Sequence, residues 1–249
     1  MIAGSVQLER LTWVEAESVL TPDAVVLIPL GAAAKEHGPH LRLNNDWAIA
    51  QYLTRKVLEA VKVVVAPGIG YHYFPAFVEY PGSVTLRLET ARDLVIDICM
   101  SLAAFGPRRF YVLNTGVSTV LALRPAADAL AARGLLLRYT DIRAVGRGNV
   151  AGAAEQEGGS HADEVETSLM LFIEPEAVDM VKAVRDYHPG EGPLTRRRGA
   201  PGAYSPTGVH GDATLATWGK GRAVAHAMVS AILADIARLR SEPLPAAAR

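Results

Sequence analysis

The chain has 249 residues, half of them hydrophobic, enough for one large core, and a single domain over residues 1–249 is expected. A formal net charge of −1 gives no electrostatic reason to expect nucleic acid or an anionic membrane as partner, and no apolar run approaches the roughly 20 residues needed to span a bilayer. No basic stretch followed by an apolar core opens the chain, and the one cysteine, Cys99, cannot pair internally, so a cytoplasmic location is expected, with Cys99 a buried small hydrophobe rather than a nucleophile.

Ala24 to Gly31 is a short continuous apolar run and predicts a fully buried strand. It empties into a loop, Lys35-Glu36-His37-Gly38-Pro39-His40, that runs into a helix at Asp46. That helix is predicted to Val61, with Ile49, Ala50, Leu53, Val57 and Ala60 on one face. Val63 to Ala66 reads as the next buried strand, closed by Pro67-Gly68. A loop with Tyr71-His72-Tyr73-Phe74-Pro75 follows, then a short extended piece around Ser83 to Leu86. Thr90 to Phe105 predicts a helix, Arg109 to Asn114 a strand, Leu121 to Arg133 a helix and Leu135 to Tyr139 a strand. Such alternation implies an α/β fold, a mostly parallel sheet covered by helices on both faces. Arg143 to Ser160 is rich in glycine and polar residues and reads as a surface loop. His161 to Ile173 reads as a helix, and Pro189 to Gly211 as a long irregular stretch containing Arg196, Arg197 and Arg198. A last helix is predicted from about Leu215 to Leu239, followed by a frayed tail.

Two helix starts stand out. Aspartate opening a helix is ordinarily a cap, but Asp46 heads the apolar stripe of its own helix, and a carboxylate aimed at a core needs a strong partner. His37, on the loop entering the same point, supplies imidazole beside it, and imidazole with carboxylate suits zinc and similar divalent ions. Downstream, Asp163 and Glu164 fall in a first helical turn and read as solvated acids favouring the dipole. Glu166 is followed by Leu169, Met170 and Ile173 and so faces inward, with His161 just upstream. Two independently satisfied core acids, or one shared metal, would both produce this pattern. His72 and Tyr73 line a pocket or pack a loop. Before the last helix, Asp212 or Thr214 reads as its cap, with His210 reaching a site or solvent. The three arginines read as a solvated loop or as contacts to an anionic substrate or subunit. Gly146-Arg-Gly148 and Gly219-Lys-Gly221 match no phosphate-binding loop.

Taken in order, His37-Gly-Pro-His40-Leu with Asp46, Tyr80-Pro-Gly-Ser-Val-Thr-Leu86, His161-Ala with Glu166-Thr-Ser168, and Gly208-Val-His-Gly-Asp-Ala-Thr-Leu-Ala-Thr217 make the chain resemble the creatininase (creatinine amidohydrolase) family. The resemblance runs from about residue 24 to residue 222. It implies a three-layer α/β/α sandwich, often a homohexamer, in which one or two divalent metals hydrolyse amide-type bonds of small, commonly cyclic molecules. Against the family pattern, Lys35 stands where a glutamate precedes the first histidine by two residues, with Glu36 adjacent to His37. In Asn114-Thr115-Gly116-Val117-Ser118-Thr119, Gly116 stands where the family has a histidine ligand. Both changes fall on one of the two metals of two-metal members.

The expectation is therefore a hydrolase with one zinc or manganese ion held by His37, Asp46 and Glu166. Three protein ligands leave one position for a water. The resemblance assigns His161 general acid/base duty, with Glu36 second in moving protons if it is not a ligand and Lys35 supplying positive charge where the other ion would sit. His72, Tyr73, Ser118 and His210 are the candidate substrate contacts. The aromatic and acidic residues that the family places around creatinine do not precede His161, where Glu157-Gly158-Gly159-Ser160 stands, so another amide, lactam or formamide is expected. Two alternatives stay open. One is hydrolysis of a carbon–carbon bond in a cyclic diketone derived from an inositol. The other is a metal-free homologue that binds without turnover.

Overall fold

The computed structural model describes residues 5–142 and 154–247. Five parallel strands form the central sheet: β1 (Val6–Gln7), β2 (Val25–Leu30), β3 (Val64–Val65), β4 (Arg109–Asn114) and β5 (Leu136–Tyr139), in the order β1-β3-β2-β4-β5. Helices α1 (Trp13–Val19), α2 (Asn45–Ala60), α3 (Leu88–Ala103), α4 (Val120–Ala131), α5 (Glu164–Ile173) and α6 (Trp218–Ser241) cover it. Two small pairs lie outside this sheet, β6 (Arg185–Asp186) antiparallel to β9 (Gly211–Asp212) and β7 (Leu194–Thr195) parallel to β8 (Ala203–Tyr204).

The layers follow from strand periodicity, since successive side chains leave a strand on opposite faces. Val25 and Leu27 of β2 enter a cluster with Leu53 and Val57 of α2, Leu169 of α5 and Met228 and Ile232 of α6. Val26, Ile28 and Leu30 enter a second cluster with Val95 and Cys99 of α3 and Leu123 and Leu130 of α4. Every residue of β2 is buried, which is why its sequence is apolar throughout instead of alternating. The expected three-layer α/β/α arrangement is the observed one. Cys99 is fully buried, and burial pushes its thiol up to about 12.

Differences from the expected elements are local. The strand Arg109–Asn114 matches at both ends, but β3 keeps only two residues and Ser83 to Leu86 joins no strand. There Val84 donates its N–H to the Ala34 carbonyl and Leu86 to that of His72, so the segment is pinned without pairing as a strand. The last helix begins later than expected because Thr217 caps it, accepting from the Lys220 N–H, while Asp212 caps only the short turn Ala213–Leu215. Of the expected loop from Arg143 to Ser160, residues 143–153 lie outside those described, as do Gly146-Arg-Gly148, the first four residues and the last two of the tail. No helix among the described residues is long and apolar enough to cross a membrane.

Helices α5 and α6 approach closely at Gly221, where a Cβ would lie 1.8 Å from the Ser168 carbonyl oxygen, whereas at Gly219 it would meet nothing within 4 Å. We expect Gly221→Ala to cost on the order of 2 kcal/mol in urea denaturation, by overpacking, and Gly219→Ala to leave the midpoint essentially unchanged.

Candidate metal centre

The loop leaving β2 and the first turn of α2 form one half of the site, at the carboxyl ends of parallel strands. Lys35 donates its N–H to the Leu43 carbonyl at 3.0 Å and Glu36 donates to Ser83 Oγ at 3.0 Å. Gly38 takes a left-handed φ of 69° and donates to Glu36 Oε2 at 2.8 Å. His37 Nδ1 lies 2.9 Å from the Lys35 carbonyl oxygen, which orients the ring so that Nε2 sits 3.0 Å from Asp46 Oδ1. Asp46 is the second residue of α2 and not its cap, because Asn44 holds the cap position and makes no side-chain bond there. Lys35 Nζ stands 2.7 Å from Asp46 Oδ2, and Asp46 is 0 % exposed. Burial works against charge on Asp46, but Lys35 and His37 outweigh it and hold the carboxyl far below the usual range.

The other half hangs from the segment before α5. His161 and His210 form an antiparallel bridge, His210 donating to the His161 carbonyl at 2.9 Å. Ala162 turns left-handed, φ 47°, the one non-glycine residue to do so among those described. Its N–H donates to Glu166 Oε2 at 2.6 Å, while Asp163 caps α5 through the Val165 and Glu166 N–H groups. Glu166, with its side chain 23 % exposed, thereby points back at both histidines. Its Oε1 is 3.8 Å from His37 Nε2 and its Oε2 is 3.6 Å from His161 Nδ1. The other nitrogen of His161 is 2.9 Å from both the carbonyl oxygen and Oε1 of Glu36. Burial disfavours imidazolium at His161, yet Glu36 prevails and draws the pKa upward; burial likewise opposes charge on Glu36, and His161 draws its carboxyl downward.

His37, His161 and Glu166 each offer a ligand atom within 4.8 Å of the others, and they form the one such group among the described residues. Two imidazoles and a carboxylate, largely buried, fit a divalent ion. The expected ligands His37 and Glu166 are thus brought together, with Asp46 against His37. His161, expected only as a proton carrier, offers a candidate ligand atom to the same group.

Other expectations fare differently. Asp163 and Glu164 are buried instead of solvated. Glu164 accepts the N–H groups of Glu155 and Gln156 and pairs with Lys220, while Asp163 caps its helix and accepts from Gln156 Nε2. The segment 155–159 therefore covers the helix start and removes the water that those acids were expected to meet. His72 is fully buried and its Nε2 donates to the Ala91 carbonyl of α3 at 3.1 Å, so it stands behind the loop that carries it. Ser118 Oγ donates to the Tyr73 carbonyl at 2.9 Å, tying the same loop to the end of β4. His210 reaches the site through backbone pairing, with Nδ1 2.8 Å from Ser160 Oγ. Around Gly116, Asn114 closes a turn on itself through the Gly116 N–H and carbonyl, Thr119 Oγ1 and the Thr140 carbonyl. Arg197 pairs with Glu79, while Arg196 and Arg198 lie over Tyr80 and Tyr204. Three contacts went unread in the sequence: the Phe77 ring lies 4.4 Å from the His161 ring and 4.5 Å from Lys35 Nζ, and Phe74 lies 5.8 Å from that ammonium. Aromatics three apart beside Pro75 were the available signal.

A family model described as Creatinine amidohydrolase matches residues 9–236. The chain is 33 % identical over 229 residues to the mycofactocin precursor peptide peptidase of Mycobacterium ulcerans (strain Agy99), covering 88 % of this chain and 86 % of that one. It is 30 % identical over 214 residues to the creatinine amidohydrolase of Pseudomonas putida, covering 77 % and 80 %. The solved structure named Creatininase Mn superimposes with a TM-score of 0.74 at 26 % identity, over 94 % of this chain and 98 % of that one.

Burial lowers the pKa of His72 to about 4, and that of His40, whose Nε2 lies 2.8 Å from Thr167 Oγ1, to about 4 as well. Each resists protonation when folded, so its contribution is complete above the unfolded value near 6.5 and is lost as pH falls toward 4. His72→Gln keeps a donor for Ala91 and removes the titration. Urea denaturation of the metal-free variant should show an acid-side loss smaller than wild type by up to about 3 kcal/mol between those pH values.

Proposed function

The chain belongs to the creatinine amidohydrolase family, and we propose that it hydrolyses an amide C–N bond of a small substrate with the help of one divalent ion, zinc or manganese. The observation that carries this reading is the convergence of His37, His161 and Glu166, from separate segments, with Asp46 held beside them. The curated relatives include a peptidase and an amidohydrolase, so the substrate classes proposed are a cyclic amide and a short peptide. Carbon–carbon cleavage is kept apart from these by its products, since it releases no amine.

His37, Glu166 and the Oδ1 atom of Asp46 would hold the ion. When bound, it supplies Lewis acidity toward a carbonyl and lowers the pKa of a nearby water. Glu36 fixes the ring of His161 through Nε2, which leaves Nδ1 to take a proton from the attacking water and return it to the departing nitrogen. The pull of Glu36 on the His161 pKa favours the imidazolium that forms between those two transfers. Phe77, packed on the His161 ring, keeps bulk water from that face.

The same site assembles in one chain, and a homohexamer acting on small molecules is the proposed assembly. His161→Ala should keep its metal, measured by elemental analysis, and lose about 10²–10⁴-fold in turnover. His37→Ala should lose both. The assay is amine release from creatinine, other cyclic amides and short peptides. Loss of metal in His161→Ala would make that residue a ligand. A wild-type protein that retains no zinc or manganese after reconstitution would overturn the reading in favour of a binding homologue.

A further inference from the structure

Lys35 is a buried cation that the proton transfers above leave unused. Its side chain is 6 % exposed, its ammonium lies 2.7 Å from Asp46 Oδ2, and the Phe77 and Phe74 rings face it at 4.5 and 5.8 Å from their centroids. A buried ammonium is retained only when paired, and aromatic faces add attraction without supplying a second anion. Nearby, both side-chain polar atoms of Asn114 are already engaged, Nδ2 with the Gly116 and Thr140 carbonyls and Oδ1 with the Gly116 N–H and Thr119 Oγ1. A cation next to Asp46 on that side is therefore already present, as part of the chain.

Charge balance leads further. Glu36, Asp46 and Glu166 bring three carboxylates to a nearly closed site, and Lys35 brings one positive charge. The two negative charges that remain are cancelled by one divalent ion. A second would leave the buried site with a net charge of two positive units, at high desolvation cost. No second cluster of three ligand side chains occurs among the described residues to offset that cost.

We infer that Lys35 is a built-in cation of the site, which limits it to one divalent ion and holds Asp46 in place when that ion is absent. The inference rests on the metal-dependent reading above and adds to it what limits the site to a single ion and the state of the empty site.

The test combines metal counting with stability. Wild-type protein reconstituted separately with zinc and with manganese, desalted and analysed by native mass spectrometry, should carry one equivalent. Lys35→Met leaves Asp46 without its ammonium, so the chelator-treated variant should melt on the order of 10 °C below chelator-treated wild type. Added zinc should narrow that gap, and zinc affinity should rise at least about tenfold, because the ion no longer approaches a like charge. Lys35→Arg should restore the melting temperature of the metal-free protein. Two equivalents in wild type would overturn the inference while leaving the hydrolase reading intact, and would do so even if Lys35→Met failed to fold. A Lys35→Met variant with unchanged zinc affinity and a gap indifferent to zinc would show a structural lysine and overturn it too. No metal in wild type would overturn both.

Discussion

A fully buried aspartate is the constraint on which the upper end of this sheet depends. Asp46 has no access to water, so its charge survives only through Lys35 on one oxygen and His37 on the other. Those partners come from the loop immediately upstream, which must therefore fold back over the start of α2. Gly31 makes the return possible: a Cβ there would lie 2.4 Å from the Asp46 carbonyl oxygen. That same carbonyl accepts from Thr115 Oγ1, as does the Leu30 carbonyl, so the ends of β2 and β4 and the first turn of α2 are joined at one point. Removing the carboxylate would leave an ammonium in a dry aromatic corner, and removing the ammonium would leave a carboxylate with one imidazole.

Much of the framework was legible because burial on both faces imposes continuous apolar runs. The strand Arg109–Asn114 could be read to the residue and the five helices from Asp46 onward to within a few, whereas α1 (Trp13–Val19) went unread. A two-residue element such as β1 carries too little pattern to be read, and β3 was read two residues too long, because pairing is decided by neighbours and not by composition alone. Within the site, Asp46 and Glu166 were legible from a physical conflict, a carboxylate leading an apolar stripe. His161 as a participant depended on the family resemblance, since a histidine before a helix has no distinctive period.

The misreadings share one cause. Acids in a first helical turn read as solvated because a helix start ordinarily meets water. Here the segment around Gln156 lies over that turn and replaces water with backbone N–H groups, which only tertiary structure reveals. His72, for which the sequence left open a pocket or loop packing, proves to be a strut, its ring joined to α3. The local chemistry was read correctly in both cases, and the long-range neighbour decided the role. Glu36 shows the converse. Gly208 lies against its carboxylate, where a Cβ would come within 2.1 Å of Oε2, so a distant glycine makes room for the acid that orients His161.

Ala162 separates two members of this centre, His161 and Glu166. Its left-handed backbone lies between His161, which is paired with His210, and Glu166, which sits in the first turn of α5. The imidazole and the carboxylate are five residues apart in sequence and yet are held by different elements, the His210 bridge and helix α5. A change of backbone torsion at this joint therefore alters the gap between them while leaving each well seated in its own support. Of the twenty side chains, glycine alone accepts that torsion without steric penalty, which makes position 162 a tuning point for the spacing of the pair.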